Sequence, residues 1–303
     1  MKKMLVLTRF IKEYEPVRLK KEGVEQGYTV DLVKYGQIDI GVEDGKSAIN
    51  LGKGRRLSDF DLIVPRAASK KGSSLVGVKT VILEEARRLG IRVVNGESFL
   101  KFPLLGKIEQ GVMMARAGLP TVDFVTFGSK IGWRKYIAEM VDSTSEESIR
   151  PPSEEKSFPL IVKGRFGSHG RTVRLVKDKE ELEKVFGKYK EGAVLIQPKL
   201  RVKQWYRCVV ANGEYLGEMR HRQKDKYGGE VGKLVKLNKV KMDRLRDVCV
   251  KAVNLFDCDY AGIDVVWDED KKDFVILEVN RTAQFKYFEK RTGVNVAEKV
   301  IGS

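Results

Sequence analysis

Histidine and cysteine are scarce in this chain, and no apolar run is long. Two histidines, His169 and His221, and three cysteines, Cys208, Cys249 and Cys258, occur in 303 residues. An odd number of cysteines without a C-x-x-C pair argues against both a disulfide framework and a structural zinc site, and it reads as three small core residues. His221 has neither a Cys/His partner at ligand spacing nor a neighbouring serine nucleophile, so zinc and triad chemistry find no support there. The apolar stretches are of strand length, and Met1-Lys2-Lys3 runs at once into Met4-Leu5-Val6-Leu7. Neither a membrane span nor a signal peptide is expected, which points to the cytoplasm. The first apolar run is not followed by G-x-G-x-x-G, so a dinucleotide-binding unit is not expected either.

What the chain has in excess is positive charge. Its formal net charge is +16, and its pI is near 9.6, a balance that favours acidic partners such as nucleotides, nucleic acid or carboxylate-rich peptides. Residues 199–241 hold twelve Lys/Arg against four Asp/Glu and so carry much of this excess; a solvated lysine-rich surface accounts for single residues equally well. With 42% hydrophobic and 33% charged residues the chain can bury a core and has room for two or three compact units.

Hydrophobic periodicity alternates between strands and helices. It predicts strands at 4–8, 28–33, 61–66 and 91–95, helices over 13–26 and 74–89, and a hairpin around Glu43-Asp44-Gly45-Lys46. That βαβ order implies a parallel sheet. Helices follow over 107–117 and 132–141, with a strand at 121–127 between them. The polar segment 142–157, with Pro151-Pro152, reads as a loop. Strands are predicted at 158–164, 172–176 and 193–198, with a helix over 179–188. Residues 205–222 form a hairpin signal turning at Asn212-Gly213. A helix over 242–256 precedes a closing pair of strands at 260–268 and 274–280. The fold class is therefore mixed α/β, divided into units at 1–95, 96–192 and 193–303.

Two stretches carry chemistry. In FVILEVN (274–280) an apolar run leads into Glu278 and Asn280, which share one face of a strand. Antiparallel pairing with GIDVVWD (262–268) brings in Asp264. Three oxygen donors without sulfur or imidazole suit Mg²⁺; strand-end carboxylates in water explain the same spacing. In VKGRFGSHGRTV (162–173), Gly164, Gly167 and Gly170 free backbone N–H groups to turn around an anion, and Lys163, Arg165 and Arg171 add charge. The loop lies between two predicted strands, which excludes the helix-starting P-loop and leaves a plain hairpin loop as the other reading.

The order of Lys163 with its glycine-rich loop, LIQPKL (195–200), the Arg207 hairpin, GIDVVWD and ILEVNRT (276–282) resembles the ATP-grasp superfamily. Within it the chain is most similar to RimK-type carboxylate–amine (glutamate) ligases. The likeness extends over nearly the whole chain, Val64-Pro65-Arg66 matching a strand end in the family's N-terminal unit. It implies an ATP-grasp fold behind an N-terminal βαβ domain, and an ADP-forming ligase that makes an amide through an acylphosphate. It implies ATP and Mg²⁺, or Mn²⁺, as cofactors, with Asp264, Glu278 and Asn280 holding the metal. By the same likeness Lys107, Lys163, Gly164, Gly167, Ser168, His169 and Gly170 would contact phosphates, and Ile196, Gln197, Lys199 and Leu200 would receive adenine. Arg207 and Arg222 would act near the phosphates and acceptor, and Arg66 and Arg281 would ring the cleft mouth for an acidic acceptor. The partners implied are a small amine such as an amino acid and a carboxylate acceptor such as an acidic peptide. Neither a membrane nor a nucleic acid is expected, and homo-oligomerisation is left open. The hinge carries Gln197-Pro198 where the family has Gln-Glu, and Arg281 stands where it has a small residue. Two other readings stay open: an ATP-grasp phosphotransferase, and a noncatalytic basic polyanion binder on the same scaffold.

Overall fold

The computed structural model describes residues 2–68, 75–139, 158–165, 173–188, 194–202, 204–222 and 236–302, with backbone alone at 130, 137–139 and 222. The predicted loop 142–157 and loop residues Gly167, Ser168, His169, Gly170 and Arg171 lie outside them.

The chain opens with β1 (Lys3–Thr8), α1 (Tyr14–Glu25) and β2 (Thr29–Lys34), then the hairpin β3 (Asp39–Glu43) and β4 (Lys46–Asn50). Asp44 and Gly45 at its tip both have positive φ, as a twist-matched two-residue turn requires. Next come β5 (Leu62–Pro65), α2 (Leu75–Arg88), β6 (Arg92–Val93) and α3 (Gly96–Lys101). Strands β2-β1-β5-β6 make a parallel sheet in that order. Met4 to Leu7 are fully buried, as expected for a strand covered on both faces. The strand expected at 91–95 ends early because Asn95 takes a left-handed φ of 58°. Its side chain instead donates to the carbonyls of Tyr260 and Arg281 and accepts from Tyr260 N, tying this unit to the C-terminal strands.

Helices α4 (Lys107–Arg116) and α5 (Lys130–Glu139) lead to β7 (Leu160–Gly164), β8 (Val173–Val176), α6 (Lys179–Phe186) and β9 (Val194–Pro198). These strands form an antiparallel sheet in the order β8-β7-β9. Trp133, Tyr136, Leu160, Val162, Leu182 and Ile196 fill its core. The segment 121–127, predicted as a strand, makes only two single bridges, Thr121 to Ile276 and Val125 to Ile196. Its pairing capacity is divided between two sheets, which it stitches together.

The last sheet is antiparallel: β10 (Gln204–Ala211), β11 (Glu214–Arg222), β12 (Tyr260–Asp268) and β13 (Asp273–Asn280), in the order β11-β10-β12-β13. Helix α7 (Lys239–Leu255) covers one face, burying Tyr206, Val210, Ile263, Val265, Phe274 and Ile276 against Leu245, Val248 and Val253. All three cysteines are free and buried. Helices α8 (Lys286–Thr292) and α9 (Val296–Ile301) return to the first unit, where Phe288 and Val300 share a core with Met4, Val6 and Leu19. Six to seven residues long, α3, α8 and α9 are too short for periodicity to reveal. Among the described residues no helix is long and apolar enough to cross a membrane.

Candidate active site

The register of the last sheet assembles the site. Arg207 lies opposite Asp264, Asp264 opposite Glu278, and Gly262 opposite Asn280. Directly paired residues share a sheet face, so these side chains converge. A bulge between Asp264 and Val265 makes this possible: beyond it Val265 pairs with Ile276, leaving Leu277 over. Phe274, Ile276 and Val279 therefore all pack toward α7, while Val275 and Leu277 join Leu200, Val202 and Trp205 on the other side. With strict alternation Glu278 would share the buried face of Phe274 and Ile276. The strand end is held by Gln110 of α4, which is 4% exposed. Gln110 donates to Val279 O at 3.0 Å and accepts from Val279 N at 2.7 Å, replacing a neighbouring strand between Glu278 and Asn280.

Gly262 keeps the floor of the site open. A Cβ there would stand 2.5 Å from Ala283 Cβ and 3.4 Å from Arg207 Nη1. Only glycine lets the loop after Asn280 and the Arg207 side chain lie this close to the strand.

Charge is dense and partly uncompensated. Lys107 Nζ is 2.9 Å from Glu278 Oε1, and Arg207 Nε is 2.7 Å from Asp264 Oδ1. The second contact lacks hydrogen-bond alignment, and Asp264 Oδ1 is buried without accepting a hydrogen bond. Burial pushes Asp264 up to about 6, with the Glu278 charge adding to it and Arg207, Lys107 and Lys163 opposing. Lys163, at the end of β7, is brought down to about 8, first by burial and then by Lys107, against the pull of Glu278 and Asp264. A buried carboxylate oxygen without a donor, a second carboxylate across the strand pair, and an amide facing a glycine make an oxygen-only set that fits Mg²⁺, which keeps waters and phosphate oxygens as further ligands. Among the described residues no three His, Cys, Asp or Glu cluster as a metal site; the Asn280 amide, on the same sheet face, offers a candidate third oxygen.

The other expected residues divide. Gly164 closes β7 opposite Val194, and Gln197 is buried in β9 opposite Ile161. Ile196 exchanges both backbone hydrogen bonds with Val125 at 2.9 Å, so its N–H and C=O are occupied. Lys199 N reaches Pro159 O at 3.3 Å, and Leu200, like Leu277, packs against the cluster of Val122, Val266 and Val275. Arg222 pairs with Gln204, out of phase with Arg207 along the hairpin, and its side chain lies outside the described residues.

Arg66 and Arg281 do not ring the mouth. Arg66 is buried and donates from Nη2 to the carbonyls of Thr282 and Ala283, and Arg281 Nη1 donates to Ser98 O at 2.6 Å. Both turn inward because buried carbonyls there need donors.

Neither Gln110 nor Trp205 stood out in the sequence, and His221 was given no role there. Trp205 and His221 are cross-strand partners whose rings stack at 4.0 Å and 9°. Burial, then Arg291 and Arg207, lowers the His221 pKa, and its Nε2 is buried without a partner. Only the alternation shared with Arg207 gave a signal for these two.

A parallel unit followed by two antiparallel sheets, with carboxylates and an amide facing lysines and an arginine, defines an ATP-grasp enzyme. A family model described as the RimK-like ATP-grasp domain matches residues 136–303, and one described as the RimK pre-ATP-grasp domain matches residues 2–98. The chain belongs to the RimK-like ATP-grasp family. It is an ADP-forming carbon–nitrogen ligase of a family that uses ATP and Mg²⁺. Among its relatives, the ribosomal protein bS6–L-glutamate ligase of Escherichia coli is 24% identical over 309 residues, covering 99% of this chain and 94% of that one. The ATP-grasp ligase PsnB, solved with a minimal precursor, superposes with a TM-score of 0.69 at 15% identity over 99% of both chains. The RimK domain protein of Sphaerobacter thermophilus does so at 0.66 and 19%, over 99% of this chain and 98% of that one.

Proposed function

We propose that this ligase activates a carboxylate as an acylphosphate with the γ-phosphate of ATP, and that an amine, such as that of an amino acid, displaces the phosphate to leave an amide on an acidic acceptor. The observation that carries this reading is the single face shared by Arg207, Asp264, Glu278 and Asn280, with Lys107 on Glu278. Mg²⁺, or Mn²⁺ in its place, would be held by Asp264, Glu278 and Asn280 and would offset charge on the phosphates. Lys107 and Lys163 hold phosphate oxygens by charge, and Lys163, half neutral near pH 8, binds them best below that pH. Arg207, two-sided between Asp264 and the floor at Gly262, steadies the developing charge on the transferred phosphoryl group. Leu200, Val202, Trp205 and Leu277 form an apolar wall for adenine, with hinge contacts drawn from Leu200 and the Lys199 carbonyl, because the N–H groups of Ile196 and Lys199 already donate. By family likeness Gly167, Ser168, His169 and Gly170 are assigned to the phosphates; Arg222, out of phase with Arg207 along the hairpin, is given no part in the reading. The bS6–glutamate ligase and precursor-bound PsnB support a protein or peptide acceptor, and the net charge of +16 supports an acidic one in the cytoplasm.

The test incubates the protein with ATP, Mg²⁺, the twenty amino acids and acidic peptides, reading amide products by mass spectrometry and ADP in parallel. Amide adducts matched one to one by ADP, both lost in Glu278→Ala, are expected. ADP with a phosphorylated product and no adduct would replace this reading with phosphotransfer.

A further inference from the structure

The first turn of α4 reaches both sheets that flank the site. Lys107 Nζ lies 2.9 Å from Glu278 Oε1, and Gln110, one turn on, exchanges two hydrogen bonds with the backbone of Val279, so these two side chains fasten the helix to β13. Glu109 turns elsewhere: its Oε1 accepts from Arg165 Nη2, while Lys107 N donates to Arg165 O at 3.4 Å. Arg165 follows Gly164, the last residue of β7, and Lys163 of that strand feels the charge of Lys107. The sequence reading gave Arg165 to an anion cradle; the structure sets its guanidinium on a carboxylate instead.

Two lysines meant for one polyphosphate repel each other until it arrives, and the positive end of α4 adds to that repulsion. The elements that carry them therefore need a tie of their own. Glu109 stands two residues from Lys107, and Arg165 two residues from Lys163, so their ion pair joins α4 to the end of β7 beside both lysines. The planar fork of an arginine gives such a tie direction as well as charge. The other oxygen, Glu109 Oε2, is buried and accepts no hydrogen bond among the described residues, which makes this carboxylate the more dependent on Arg165. We infer that Glu109 and Arg165 are positioning residues that hold Lys107 and Lys163 together for the nucleotide phosphates, and that Arg165 is not itself a phosphate ligand. The task of the lysines rests on the ligase reading above; the tie rests on the contacts of Glu109.

The test measures calorimetric binding of ADP in excess Mg²⁺, and of adenosine, to the full chain, with thermal unfolding alongside. Glu109→Gln and Arg165→Met are each expected to weaken ADP by about threefold to fivefold, the upper range for an ion pair about one-third exposed. Adenosine, which carries no phosphate, should bind each variant as it binds wild type. Because both residues act through one contact, the double variant should bind ADP no more weakly than either single one. Arg165→Lys, which keeps the charge without the fork, should lose less than Arg165→Met. A phosphate ligand at position 165 gives the opposite pattern: Arg165→Met weakens ADP, while Glu109→Gln releases the guanidinium and tightens it or leaves it unchanged. That result would overturn the assignment, as would wild-type ADP affinity in both single variants with lowered melting temperatures, the sign of a pair that only stabilises the fold. Amide formation is read separately, so a lack of adducts with this binding pattern in place would count against the ligase reading and leave the tie standing.

Discussion

Asp264→Asn is expected to abolish turnover and yet to change stability in a pH-dependent way that can be calculated. Asp264 has a folded pKa of about 6 against a usual 3.8, raised chiefly by burial of a side chain that is 17% exposed. Because the folded state holds the proton more tightly, stability due to this group is fully present below the unfolded value and is lost as pH rises from about 4 to 6. A shift of about two units corresponds to roughly 3 kcal/mol at 1.36 kcal/mol per unit. The attraction of Arg207 at 2.7 Å is already contained in that pKa, which it holds down; what remains is the exchange of a protonated carboxyl for an amide, a term that does not vary with pH in this range. Urea unfolding in EDTA at pH 4 to 7.5 separates the two terms. The variant's stability relative to wild type should rise by about 2–3 kcal/mol from pH 4 to pH 7 and then level off. A difference that is flat with pH, or that moves the other way, would refute a buried and strained carboxylate at this position.

Gly262→Ala should cost about 1–3 kcal/mol by overpacking and should lower kcat, because its Cβ meets Ala283 at 2.5 Å and crowds Arg207; wild-type turnover with unchanged melting would show that the loop yields freely. Gln110→Leu strands the buried N–H and C=O of Val279 and should cost about 2–4 kcal/mol. Hydrogen exchange at the Val279 amide is the direct readout, and retained protection would remove Gln110 as the clamp. Lys163→Ala should raise the apparent KM for ATP. In wild type that KM should climb as pH rises through about 8, where Lys163 loses its charge, and this limb should vanish in the variant; the same pH profile in both proteins would assign the limb to another group.

Much of this molecule was legible because its signals are local. Alternation and helical period gave most of β1 to β13, as well as α1, α2, α4 and α7, since each buries one face or stripe long enough to repeat. Asp264, Glu278 and Asn280 were legible for the same reason: carboxylates and an amide stand out at the end of a buried apolar run, and two short strands across a charged turn have few ways to pair. Charge was misleading where it was read as surface. Arg66 and Arg281 were expected at a rim, yet their guanidinium groups satisfy buried carbonyls of Thr282, Ala283 and Ser98.

Sequence by itself determined which side chains are on offer for the proposed chemistry: the oxygen donors, the lysines and the glycines, whose types no folding can change. Tertiary structure decided which face they share and what stands opposite. The one-residue slip at Leu277, the clamp of Gln110 on Val279, the open floor at Gly262 and the placement of Lys79 over Phe99 all involve partners distant along the chain. A bulge reverses alternation at one unmarked residue, and the cost of a buried charge depends on neighbours that only packing brings near.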